Sequence, residues 1–249
     1  MNNKNKIVVY WAHDAAINKE HQQILISQVP KSVLLDIQKR RSRYNMSKFS
    51  TEDPNGNGYQ MCTALHELAN NMFYIKAPFD VEINFDAEGK IIVGPYSGWF
   101  EARHSSMNDS FSADFDYSYM FFCEEELEVS YMPPFLHKTS QPDFGFICSV
   151  KWDISSWFRP HRTIFQLWPG KNKIHFKKDE PMAYLKMHTD KKIVFKEFKL
   201  TPEILLISQA CQDHKFILPF ESMKTLYHRF TNTSMKKRLI LEIKKNLVD

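Results

Sequence analysis

The 249-residue chain has a net charge of +4, from 33 Lys and Arg against 29 Asp and Glu, a basic excess too small for a nucleic-acid footprint. Its 43% hydrophobic content, with 20 Phe, 10 Tyr and 5 Trp, can offset the entropy lost on folding and excludes a disordered chain. With only 7 glycines, and neither G-x-G-x-x-G nor G-x-x-x-x-G-K, the familiar phosphate-cradling loops are excluded too.

Ile7 to Ala12 predicts a first strand. Val33 to Arg43 predicts a short amphipathic helix whose basic end, Lys39, Arg40, Arg41 and Arg43, suits the negative pole of the helix dipole. Asp53-Pro-Asn-Gly-Asn-Gly58 breaks the chain, and Cys62, Leu65, Leu68, Ala69 and Met72 then recur at helical spacing. Phe73 to Ile75, Val81 to Phe85 and Ile91 to Val93 read as a β-meander punctuated by Ala-Pro, Ala-Glu-Gly and Gly-Pro. The Ser- and Asp-rich residues 97 to 116 read as a long loop or lid.

Strands resume at Tyr117 to Cys123 and Leu127 to Met132, with Glu124-Glu-Glu126 as a solvated hairpin tip between them. Gly145 to Val150 is a further run, and Phe165 to Asp190 contains two alternating strands closed by His188-Thr-Asp190. Ile193 to Phe198 is the last strand. The period then changes. Thr201-Pro-Glu203 supplies an N-cap, a first-turn proline and an early acid, and Leu239, Ile240, Ile243 and Leu247 form the apolar stripe of a helix over Ser234 to Leu247. The predicted fold is α+β, an antiparallel jelly-roll-like β-sandwich with flanking N-terminal helices and a C-terminal helical segment. Residues 1–70 carry a strand and helices packed on the core, 71–200 the sandwich, and 201–249 the helical segment.

Cys62, Cys123, Cys148 and Cys211 are widely spaced with no C-x-x-C, which suits reduced thiols in a cytoplasmic protein. No apolar run approaches the ~18 residues of a membrane span.

Trp152-Asp-Ile-Ser-Ser-Trp157-Phe-Arg159-Pro-His161-Arg162 is the best cluster of recognition chemistry, with indoles to stack on a planar ligand and Arg159 or Arg162 to take an anion. Trp99, Phe100, Arg103 and His104 repeat it within the expected lid. The competing reading buries Trp157 and Phe158 under the sandwich edge and leaves the arginines in water. His188 and Asp190 have the His-x-Asp spacing of a facial iron triad, which needs a third donor such as His214 or His228 and would bring Fe(II) and 2-oxoglutarate as cofactors; the competing reading is a chain reversal. Cys62 and His66 lie one helical turn apart and read as packing. His13 and Asp14 are adjacent on an extended chain and point to opposite faces.

Phe73-Tyr-Ile-Lys-Ala-Pro-Phe-Asp80, Glu126-Leu-Glu-Val with Pro133, Trp157-Phe-Arg-Pro160 and Asp179-Glu-Pro-Met-Ala-Tyr-Leu-Lys-Met-His-Thr-Asp190 together resemble an uncharacterised family encoded by marine tailed phages, especially cyanophages, and some bacteria. The resemblance covers most of residues 70 to 200. It implies a phage-type accessory protein and brings no active site. Ile174 to Leu185 is also similar in shape to the strand-turn-strand of jelly-roll proteins such as the dUTPase and dCTP-deaminase group, without their Gly and Gln, and supports a fold alone. The expected function is a small-molecule or protein binding module; the alternatives are the iron oxygenase and a structural virion component. Neither a nucleic-acid partner nor a membrane is expected.

Overall fold

The computed structural model describes residues 5–13, 30–36, 63–92, 100–105, 110–217 and 220–248. In chain order the elements are β1 (Lys6–His13), β2 (Lys31–Ser32), α1 (Thr63–Ala69), β3 (Met72–Lys76), β4 (Val81–Asn84), β5 (Phe100–Ser105), β6 (Ser110–Cys123) and β7 (Glu128–Met132). They continue with β8 (Gly145–Ile147), β9 (Val150–Asp153), β10 (Pro160–Leu167), β11 (Lys173–Phe176), β12 (Pro181–Met187) and β13 (Lys192–Glu197). The helices α2 (Pro202–Ile217), α3 (Met223–Asn232) and α4 (Ser234–Lys245) follow. The fold is α+β, with antiparallel pairing throughout except for β1 beside β13.

One sheet runs β13-β1-β6-β10-β8, with β5 also on β6; a second runs β2-β3-β12-β7-β9; and β11 with β4 makes a two-stranded ribbon. Strand alternation shows why the layers meet as they do. In β1, Ile7, Val9 and Trp11 enter the main core, while Tyr10 and Ala12 enter a second core on the opposite face. The strand is buried on both faces and so reads as the unbroken run Ile-Val-Val-Tyr-Trp-Ala. The main core also takes Phe115, Tyr119 and Phe121 from β6, Ala183, Leu185 and Met187 from β12, and Ile83, Ile174 and Phe176 from the ribbon. The second core joins Met120 and Phe122 to Phe158, Phe198, Ile204, Leu226, Phe230, Leu239 and Ile243. The helices therefore form a layer on the outer face of the first sheet.

Several expectations change. Residues 100–105 and 110–116 are not a loop or lid but two paired strands, in register from Phe100↔Phe115 to Ser105↔Ser110. Ser110-Phe-Ser-Ala-Asp-Phe115 alternates strictly, and its small polar side chains are buried: the Gln166 amide donates to Ser110 Oγ at 2.6 Å and to the Phe111 carbonyl at 3.1 Å. The Glu124–Glu126 turn is no hairpin tip, because β6 and β7 belong to different sheets. It is also ion-paired, with Glu124 accepting from Tyr10 OH at 2.9 Å and from Lys244 Nζ, and Glu125 accepting from Lys191. β1 lies inside the first sheet, so the sheet core is not confined to 71–200.

Met72 begins a strand, since Asn71 at φ 48 ends the α1 segment. The Lys186 ammonium caps that helix, donating to the carbonyls of Glu67, Leu68 and Asn70. Val33 to Asp36 is helical; residues 37–43, Cys62 and Asp14 lie outside the described residues. α3 falls within the expected helical segment, as a separate helix between the two ends read from the sequence. Its N-cap is Ser222, whose hydroxyl accepts from Thr225 N at 3.1 Å, and it is anchored by Leu226 and Phe230 one turn apart.

Gly145 pairs with Leu167 where the first sheet ends, and a Cβ there would stand 2.1 Å from the Gln166 carbonyl oxygen and 2.7 Å from the Phe165 ring. Gly145→Ala should therefore cost about 1–3 kcal/mol by overpacking, read as a lower urea midpoint.

Candidate functional site

The chain passes from the second sheet to the first between β9 and β10, through a turn fixed by Asp153. The Asp153 carboxylate accepts from the amides of Ser155 (2.8 Å) and Leu127 (3.4 Å) and from the Ser156 hydroxyl, while Ile154 N donates to the Leu127 carbonyl at 3.0 Å. Beyond this turn Phe158 and Trp157 both enter the second core, and three side chains, Trp157, Arg159 and His161, reach one cleft: Trp157 from the helix side against Tyr227 and Phe230, His161 from the strand side against Tyr131, and Arg159, which is exposed, between them in the chain. A register shift in β10 between His161 and Thr163 re-aims the strand beside β6.

Those three side chains open onto a cleft of about 580 Å³, walled by β9 and β10 on one side and by Cys211 and Gln212 of α2 with Met223 and Tyr227 of α3 on the other. On the strand side Trp152 lies flat on the His161 ring, centroids 4.1 Å apart and planes 14° apart, and Tyr131 meets the same ring edge-on at 4.3 Å. The Tyr131 hydroxyl is hydrogen-bonded to Thr163, and burial pushes its acidity well below that of a free phenol. On the helix side the Trp157 indole stands 5.3 Å from the Tyr227 ring.

Electrostatics differ sharply from one lining residue to the next. The Lys151 ammonium bridges to Glu128 at 2.6 Å, and Arg162 bridges to Glu101 at 3.3 Å. Arg159 bridges to no carboxylate among the described residues. Its charge is felt at His161 on the strand wall and at Cys211 and Tyr227 on the helix wall. His161 is held neutral: desolvation first, and Arg159 second, bring its pKa down to about 3. Its Nε2 is shut off from solvent and has no hydrogen-bond partner, although the residue keeps partial exposure through other atoms. Burial pushes the Cys211 thiol up to about 11 and raises the pKa of the Tyr227 phenol as well.

Of the residues singled out in the sequence, Trp152, Trp157, Arg159, His161 and Arg162 line this one cleft. Trp99 lies outside the described residues, as does the side chain of Arg103, whose backbone belongs to β5. Phe158 follows the packing reading, and so in part does Trp157, 4% exposed. Asp114, Cys211, Gln212, Met223 and Tyr227 were missed; Asp114 was hidden in the stretch read as a loop, and the others come from helices far along the chain.

The His188-Thr-Asp190 corner is built otherwise than a facial triad requires. His188 Nε2 is 2.7 Å from Ser130 Oγ, and its backbone N donates to the Glu128 carbonyl at 2.9 Å. Desolvation and Lys151 lower the His188 pKa. Thr189 Oγ1 accepts from Lys191 N at 3.2 Å, and the Asn71 amide donates to the carbonyls of Thr189 and Lys191, which is the bonding of a chain reversal. His228 contacts the Asn232 amide, and the His214 side chain lies outside the described residues. Among the described residues no three His, Cys, Asp or Glu side chains gather to hold a metal.

No protein family, curated protein or solved structure matches the chain. Among the described residues no helix is long and apolar enough to cross a membrane.

Proposed function

We propose that the protein is a binding module, a phage-type accessory protein whose cleft between the sheet edges and the helical layer takes a small molecule. The observation that carries this reading is the Arg159 guanidinium, without a carboxylate partner among the described residues, in a cleft walled by Trp152, His161, Trp157 and Tyr227. Arg159 is exposed, so its guanidinium is open to an incoming anion, and two aromatic pairs line the same cleft.

Recognition is favoured over turnover by the state of the groups present. An imidazole with a pKa of about 3 is a weak base, and a thiol near 11 is almost wholly protonated at neutral pH. The resemblance carried by residues 73 to 190 supports a phage-type source. Two sheets sharing one core support a jelly-roll-like sandwich, with the parallel β1–β13 pair as a departure from that plan.

Ligand screening by thermal shift, followed by indole N–H signals of Trp152 and Trp157 in NMR, tests the reading. Hits should perturb both indoles. Trp152→Ala should weaken them by roughly tenfold, the loss of one stacking partner, while leaving the fold intact. Hits that perturb neither indole would place recognition elsewhere.

A further inference from the structure

Resting on that reading, we infer that the ligand is a planar aromatic oxyanion, a ring bearing a carboxylate or a phosphate, with its charged group on Arg159 and its ring among the four aromatic side chains.

Charge supplies the first argument. Three cations, Lys151, Arg159 and Arg162, line the cleft against one carboxylate, Asp114. Two of them are neutralised by acids that do not line it: Glu128 holds Lys151 and Glu101 holds Arg162. The charge left over is that of Arg159. A guanidinium is a planar fork of donors matched to two oxygens of a carboxylate or phosphate, so an oxyanion satisfies it better than a neutral acceptor does.

Placement supplies the second. Trp157, Arg159 and His161 line the same cleft, with Arg159 between the two aromatic residues in the chain. The aromatic pair Trp152 and His161 stands on the strand wall of that cleft, and the pair Trp157 and Tyr227 on the helix wall. A flat ring is the shape that meets such surfaces face or edge at van der Waals distance. The cleft, at about 580 Å³, has room for a ring system together with its charged substituent.

The test uses the full chain and four kinds of probe: an aromatic carboxylate (indole-3-acetate), a nucleoside monophosphate (uridine monophosphate), their neutral counterparts (indole-3-acetamide and uridine), and the bare anions acetate and inorganic phosphate. Affinities come from calorimetry, and site occupancy from the Trp152 and Trp157 indole signals. One of the two aromatic oxyanions should bind roughly ten- to a hundredfold more tightly than its neutral counterpart, the range of a charge-assisted hydrogen bond, and more tightly than the bare anion. Which of them binds identifies the oxyanion. Arg159→Gln should abolish that preference without changing the neutral counterpart's affinity, and Arg238→Gln, at a residue paired with Glu203 outside the cleft, should change either by less than about threefold. Equal binding of charged and neutral rings, or a preference that survives Arg159→Gln, overturns the oxyanion class while leaving the cleft as the binding site. Indole signals that respond to none of the probes overturn the class as well, and signals silent also to every hit of the wider ligand screen would sink the binding reading with it.

Discussion

Between pH 7 and pH 4 the protein should lose several kcal/mol of stability, because two largely buried histidines, His13 and His161, refuse protons that the unfolded chain accepts. Burial brings His13 down to about 4, and burial with the Arg159 charge brings His161 down to about 3. The unfolded reference is about 6.5. Both folded values lie below it, so the unfolded chain binds more protons throughout the interval and acid favours unfolding. The stabilisation is fully present above the unfolded value and is lost as the pH falls toward the folded values. Each histidine contributes a slope of about 1.4 kcal/mol per pH unit inside its window. Over two to three units the pair removes several kcal/mol, against a total stability of about 5–15 kcal/mol for a typical domain. Urea midpoints measured at pH 7, 6, 5 and 4 read the effect. His161→Phe keeps a flat ring against Trp152 and removes one titration, so its pH curve should be about half as steep as the parent's. A parent whose midpoint does not move over this range would show that both imidazoles reach water.

Trp157→Ala should produce the largest loss among the cleft residues. The side chain is 4% exposed and lies where the β9–β10 crossover meets α3, against Tyr227 at 5.3 Å and Phe230 at 6.4 Å. Removing an aromatic of that burial costs about 3–5 kcal/mol, through lost transfer energy and the cavity left between sheet and helix. Trp152 offers a contrast. It is only partly buried, stacked on His161 at the sheet edge, and Trp152→Ala should cost clearly less. Urea unfolding of the two variants side by side separates an indole that holds the helical layer in place from one that faces the cleft. A cost below about 1 kcal/mol for Trp157→Ala would mean that α3 is anchored by Leu226 and Phe230 alone.

Much of the cleft could be read from the sequence because its strand wall is local. Trp152, Trp157, Arg159, His161 and Arg162 fall in one short stretch of chain, and that proximity survives any tertiary arrangement. The helix wall could not be read this way. Cys211, Gln212, Met223 and Tyr227 look like ordinary helix residues, and only packing of α2 and α3 on the sheet brings them opposite Arg159. The 97 to 116 segment failed for another reason. Its Ser and Asp content suggests a loop, yet Ser110-Phe-Ser-Ala-Asp-Phe115 alternates with period two, and the polar half is accommodated because Gln166 supplies hydrogen bonds to that face. Composition prevailed where periodicity should have. The hairpin expected at Glu124–Glu126 failed because two neighbouring strands need not pair, and nothing local distinguishes a turn within a sheet from a crossing between sheets. His188 and Asp190 carried a ligand-like spacing whose meaning depends on a distant third donor, and the hydrogen bond to Ser130 could not be foreseen from spacing.

β1 is held on one side by residues 119–123 and on the other, in parallel, by residues 192–197. β1 thus waits for β13, which follows it far along the chain, before its second row of amides and carbonyls is satisfied. Until then it is an apolar ribbon with an open flank, the kind of surface that recruits a stray neighbour. Assembly of the first sheet is correspondingly governed by closure of a very long loop, which favours slow acquisition of the native state.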